Sequence, residues 1–215
     1  MEESKNLRLA RQAKAEGNTE DAKLFYNKVR EEDPENGEAK YFYAYYSLYE
    51  GKNVEIPSKF STLAKSLSPA INLICKSSLD KQNQLASIEE IVNSFVPETW
   101  SLVRYMNHKN RETKVGNSYV KVFTYSTVTS TCKTGMAAIK ELGDAVEKIF
   151  PNDAECKRIA SIAWKEYVSL SQQWYAYAIK GDVEIYAEKI KTVDPSYEIP
   201  KKAGCITIGD KKKLK

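Results

Sequence analysis

The chain has 215 residues, of which 42% are hydrophobic and 29% charged, and a formal net charge of +4. This is enough apolar material for one large or two small cores, and too little charge to argue nucleic-acid binding by itself. The four cysteines, Cys75, Cys132, Cys156 and Cys205, stand far apart without a CxxC pair, which excludes a zinc site or dithiol motif at workable spacing and leaves reduced, buried thiols as the expectation.

The opening MEESKNLRLARQAKAEG is charged and lacks a signal-peptide apolar region, and no window approaches the roughly 18 apolar residues of a membrane span. A cytosolic protein without a membrane role is expected. Over residues 3–16, Leu7, Ala10, Ala13 and Ala15 recur at near-helical spacing, and Gly17-Asn18 predicts a turn because both residues tolerate left-handed backbone. Thr19 is the expected cap of the next helix, whose apolar stripe is Ala22, Phe25, Tyr26 and Val29 and which Asp33-Pro34 ends. A third helix is expected over 37–52, and a fourth begins near Pro57, which is tolerated at a first helical position, with Phe60 and Leu63 on its stripe.

The run from residue 3 to 69 resembles the tetratricopeptide repeat, a unit of about 34 residues made of two antiparallel helices. Ala22 and Tyr26 stand at the family's Ala-x3-Phe spacing, Pro34 closes the unit and Leu9-Ala10 stands for its Leu-Gly pair. Tyr43-Ala44, Ser47 and Gly51 fall on the same positions one repeat later, and Pro69 comes one residue after the expected place. Asn6 and Ala13 replace the first-helix aromatics, as a terminal capping repeat allows.

Beyond residue 69 periodicity alone predicts helices over about 70–77, 81–95, 97–108, 118–149, 152–179 and 182–193, with Pro97 a kink or a restart. HKNRETKVGNS, 108–118, is the clearest polar connection and the expected boundary between halves. SYVKVFTYSTVTSTC, 118–132, is β-branched enough for a strand, but Val122, Tyr125, Thr129, Cys132 and Met136 recur at three and four and favour a helix. Near the C-terminus, Lys189-Ile190 and Asp194-Pro195 echo Lys28-Val29 and Asp33-Pro34, so 164–196 reads as a degenerate repeat or a coincidence; Gly181 lies three residues too close to its proline, and Trp174 sits where a small residue is favoured. FVPETWSLVRYMNHKN and WYAYAIKGDVEIYAEKI resemble segments of bacterial proteins that join a zinc ribbon to such helices, but without the ribbon's cysteine pairs zinc is not carried over. The expected fold is all-α: TPR-like antiparallel helix pairs at 1–69, a helical region at 70–200 packed on them or continuous with them as an array or bundle, and a Lys-rich tail at 201–215.

No catalytic, cofactor or metal residues are expected. His108 is the only histidine and no nucleophile motif accompanies it; no phosphate loop or EF-hand pattern occurs; Glu31-Glu32 and Glu89-Glu90 read as solvated faces. YFYAYYSLY, 41–49, is the most unusual composition, with Tyr41, Phe42, Tyr45, Tyr46, Leu48 and Tyr49 on one helical face and Ala44 and Ser47 on the other. The resemblance implies a concave groove lined by Tyr41, Tyr45, Leu48 and Tyr49 and by Leu7, Arg11 and Lys14 of the neighbouring helix, with Arg8 close by. Such a groove suits an acidic or C-terminal peptide, although the family's Lys and Asn carboxylate clamp is not reproduced; alternatively these tyrosines pack on helices after residue 57. The function implied is a non-enzymatic, cytoplasmic protein- or peptide-binding adaptor. The alternatives are an enzyme of unrecognised type and a single-stranded nucleic-acid binder using Arg104, Tyr105, His108, Lys109, Arg111, Lys114 and the basic tail.

Overall fold

The computed structural model describes residues 4–109, 113–115, 118–120, 123–173 and 182–202. The fold is all-α, with one short hairpin, and no helix among the described residues is long and apolar enough to cross a membrane. Two units are separable, Met1–Ser94 and Phe95–Lys215, the division falling within a long helix and ahead of the polar stretch at 108–118.

In the first unit, α1 (Lys5–Ala15) is capped by the Ser4 hydroxyl, which accepts from the Leu7 N–H at 3.1 Å. Gly17 then takes the expected left-handed backbone at φ 73°. The cap of α2 (Thr19–Glu32) is Asn18 rather than Thr19: the Asn18 side chain accepts from the Asp21 N–H at 3.2 Å, and Thr19 is the first helical residue. Buried Ala22, Tyr26 and Val29 give α2 its inner face, and Asp33-Pro34 ends it as expected. Asn36 caps α3 (Gly37–Tyr46), which packs on α2 and on α4. Gly37 allows that last contact, because a Cβ there would lie 2.3 Å from the Ala70 carbonyl oxygen.

The structure corrects several expected boundaries. α3 stops at Tyr46 instead of residue 52; the Ser47 hydroxyl turns back to the Tyr43 carbonyl at 2.7 Å, and Gly51 has φ 75°. A short 3-10 turn (Asn53–Glu55) leads into α4 (Ile56–Lys76), where Pro57 lies in the first turn as expected. Pro69 does not end α4. Phe60, Leu63, Leu67, Ala70, Ile71 and Ile74 form one uninterrupted buried stripe, whose burial outweighs the hydrogen bond proline removes. Likewise α5 (Lys81–Lys109) runs through Pro97, joining two expected helices into one, with Phe95, Val96, Leu102, Val103 and Met106 buried around that position.

In the second unit, Thr113–Val115 (β1) and Ser118–Val120 (β2) pair antiparallel with Val115 opposite Ser118. The expected helix over 118–149 therefore begins only at Tyr125. The partner strand lies in the stretch read as a polar connection. Then α6 (Tyr125–Ile149), α7 (Ala154–Gln173) and α8 (Asp182–Lys191) follow, with α7 packed on both of the others. Asn152 takes a positive φ of 69° in the α6–α7 turn. Gly143 lets the two helices approach: a Cβ there would lie 2.5 Å from Trp164 Nε1 and 3.2 Å from the Ala160 carbonyl oxygen. Trp174, Gly181 and the end of the helix expected over 152–179 lie outside the described residues, as do Cys205 and the tail lysines from 211 on. Among the described cysteines, Cys132 and Cys156 are buried and Cys75 is half-buried, all reduced.

Candidate functional site

The first unit is organised around a buried carboxylate. Glu38, the second residue of α3, is 5% exposed, and the turn of α3 toward α1 and α2 carries it beneath their side chains. Arg11 grips both of its oxygens, with Nε at 3.0 and 3.1 Å and Nη2 on Oε2, while the Tyr26 hydroxyl donates to Oε1 at 2.8 Å. Lys14 stands 3.7 Å from Glu38 and 2.6 Å from Glu90, with its ammonium 4.0 Å above the Phe42 ring. Burial alone would raise the Glu38 pKa, but the hydrogen bonds and charge of Arg11, the charge of Lys14 and the Tyr26 hydroxyl hold it below the ordinary carboxylate range. Burial and the Glu38 charge together push the Tyr26 phenol far up, so it serves as a donor throughout the physiological range. Burial and Glu90 also raise Tyr46, to about 12.

Around this centre the aromatic residues of α3 form an interior stack. Tyr26 stacks on Phe42 at 5.3 Å between ring centroids, Phe42 meets Tyr41 edge-on at 5.0 Å, and Tyr45 lies 6.0 Å from Tyr41. Tyr41 and Leu48 are fully buried, and the Tyr41 and Ser94 hydroxyls share a hydrogen bond of 2.9 Å. These two therefore belong to the core and do not line a groove, a correction whose cause is the cover that α4 and α5 give α3. Tyr45 is half-buried and Tyr49 is 51% exposed; Arg8 is exposed. Arg11 and Lys14 are brought together, but onto Glu38 and Glu90 of the same unit.

Leu7 and Arg11 do face a cleft of about 700 Å³ on this unit. Leu7, Val29, Ile74 and Leu79 supply its apolar surface, and Leu79 is 41% exposed. The end of α2 and the following turn add Glu32, Asp33 and Glu35, all exposed; the Arg11–Glu38 pair also borders the space. Serines and asparagines from the α4–α5 connection and the start of α5, Ser77, Ser78, Asn83 and Ser87 among them, complete the wall. The contribution of α4 and α5 was not foreseen, since nothing in a local pattern tells which distant turn closes a surface.

The second unit contains a polar cluster that the sequence reading also missed. Asp144 accepts from Tyr186 at 2.6 Å, Lys189 at 3.2 Å and Trp164 at 3.3 Å, and Lys189 also reaches Glu147 at 2.8 Å. Asp182 accepts from Lys140 at 2.7 Å and from Tyr167 at 3.1 Å. Burial, then the Asp144 hydrogen bond and charge, raises the Tyr186 pKa steeply. Every member has a partner on another of α6, α7 and α8, so the cluster joins the three helices.

The basic segment considered for nucleic acid is partly engaged with its own aromatics: the Arg104 guanidinium lies 4.5 Å from the Trp100 ring and the Lys109 ammonium 5.9 Å from Tyr105. His108 is exposed, Arg111 lies outside the described residues and Lys114 falls within β1. Against protein-family models, curated proteins and solved structures the chain matches none.

Proposed function

We propose that the protein is a non-enzymatic, cytoplasmic TPR-like scaffold or adaptor whose first unit binds a segment of a protein partner. The observation that carries this reading is the cleft of about 700 Å³, a size and mixture of apolar and polar surface suited to a few side chains of a ligand. The consecutive packing of α1 on α2, α2 on α3 and α3 on α4 supports a repeat-like scaffold, whereas the unbroken 21-residue α4 departs from the repeat pattern. Leu7 and Arg11 remain in the proposed surface; Tyr41, Leu48 and Lys14 are assigned to its support.

A photo-reactive amino acid at Leu79, inside the cleft, and another at Val54, 66% exposed and away from it, test this reading in living cells. A discrete cross-linked protein from position 79 and none from 54 is expected. Equal labelling from both positions would count against a binding cleft.

A further inference from the structure

The charges of the cleft decide what kind of segment fits. Among the described residues its wall carries Glu32, Asp33, Glu35 and Glu38 against one cation, Arg11. Arg11 and Glu38 answer each other, and the positive N-terminal end of α3 is already met by the Asn36 cap and by Glu38 itself. Glu32, Asp33 and Glu35 have no ion pair among the described residues: Glu32 accepts from the Asn6 amide, and an Asp33 carboxylate oxygen accepts from the Glu35 N–H at 3.1 Å. Three exposed carboxylates thus edge an apolar floor in which Leu7 and Leu79 are accessible and Val29 and Ile74 lie buried behind them.

Resting on the peptide-binding reading, we infer that the occupant of the cleft is a cationic, amphipathic peptide segment of a partner protein, one that sets Lys or Arg beside an apolar side chain. The apolar side chain enters against Leu7 and Leu79, and the cation meets the edge formed by Glu32, Asp33 and Glu35. An acidic segment or a free C-terminal carboxylate meets the same three negative charges with no unengaged cation among the described residues of the wall to offset them. Like-charge apposition of this kind is a strong discriminator between partners even where the attractive pairs are individually weak.

The test is selection of a random peptide display library on the immobilised full chain, followed by affinity measurement of the selected peptides. Expected is enrichment of Lys or Arg next to Leu, Ile, Val or Phe, and a loss of about tenfold in affinity for the triple variant Glu32→Gln, Asp33→Asn, Glu35→Gln. The amides keep the acceptors that Asn6 and the Glu35 N–H use, so the variant should melt like the parent. Affinity should also fall with added salt. Enrichment of acidic or C-terminal motifs, or basic peptides bound equally well by the triple variant, would overturn the charge assignment while leaving peptide binding intact. No enrichment of any sequence would overturn both.

Discussion

Glu38→Ala is expected to destabilise the first unit by about 3 kcal/mol in a denaturant titration, because it leaves buried partners without their acceptor. The buried Tyr26 hydroxyl loses its bond of 2.8 Å, and Lys14, whose side chain is 16% exposed, keeps only Glu90. Arg11 has an easier escape, since its side chain is 41% exposed. Arg11→Ala should nonetheless cost at least as much as Glu38→Ala, because it leaves the Glu38 side chain, 6% exposed, with only the Tyr26 hydroxyl and the more distant Lys14 to offset its burial. The two variants differ in what they leave behind: Glu38→Ala leaves a guanidinium that water can reach, and Arg11→Ala leaves a buried carboxylate. The same carboxylate sets a pH dependence. Its folded-state pKa lies below the ordinary value of 4.5, so its contribution is complete above that pH and disappears as acid protonates it in the folded state. In Glu38→Gln the thermal midpoint should be lower near neutrality, and the gap from the parent should narrow on acidification below about pH 4.5. A gap that stayed constant into acid would show that the charge on Glu38 contributes nothing.

In the second unit, Trp164→Ala should cost about 3–5 kcal/mol, the largest single-residue effect expected in the protein. The indole is 1% exposed, its N–H reaches Asp144, Lys189 lies 4.6 Å from its ring and the Tyr186 ring lies tilted beside it at 5.9 Å. Trp164→Phe should recover most of this loss, since Asp144 keeps Tyr186 and Lys189 as donors and the ring still fills much of the space over Gly143. Near-ultraviolet circular dichroism alongside the denaturant curve distinguishes a loosened core from loss of the unit. If Trp164→Ala and Trp164→Phe were equally damaging, the hydrogen bond to Asp144 would outweigh the packing.

The first two helices could be read from sequence because the main local signals agreed, namely the spacing of Ala10, Ala13, Ala22 and Tyr26, the turn at Gly17 and the stop at Asp33-Pro34, with only the cap of α2 displaced, from Thr19 to Asn18. Pro69 and Pro97 misled because a proline rule is local, whereas the choice between ending and continuing lies with the buried stripes that run past them in α4 and α5. The strand at Ser118–Val120 was hidden in the same way, its partner lying in a polar segment with no apolar alternation to reveal it. Periodicity also located the aromatic face of α3 but not what covers it, so Tyr41 and Leu48 looked available for a ligand. Glu38 is in sequence an ordinary first-turn acid that nothing singles out, and its pairing with Arg11, 27 positions away, has no local signature. Of the residues assigned to a groove, Leu7 and Arg11 do border the cleft, while its acidic edge and its far wall emerge only when α2, α4 and α5 come together.

The most direct measurement is a methyl and amide NMR titration of the full chain with a peptide selected on it. Binding in the cleft requires shifts at the methyls of Leu7, Ile74 and Leu79 and at the amides of Glu32 and Glu35, with Leu24 and Val54, exposed elsewhere on the same unit, unmoved. Shifts centred on Tyr45 and Tyr49 with a silent Leu7 and Leu79 would move the binding surface to the aromatic helix and contradict the assignment of the cleft.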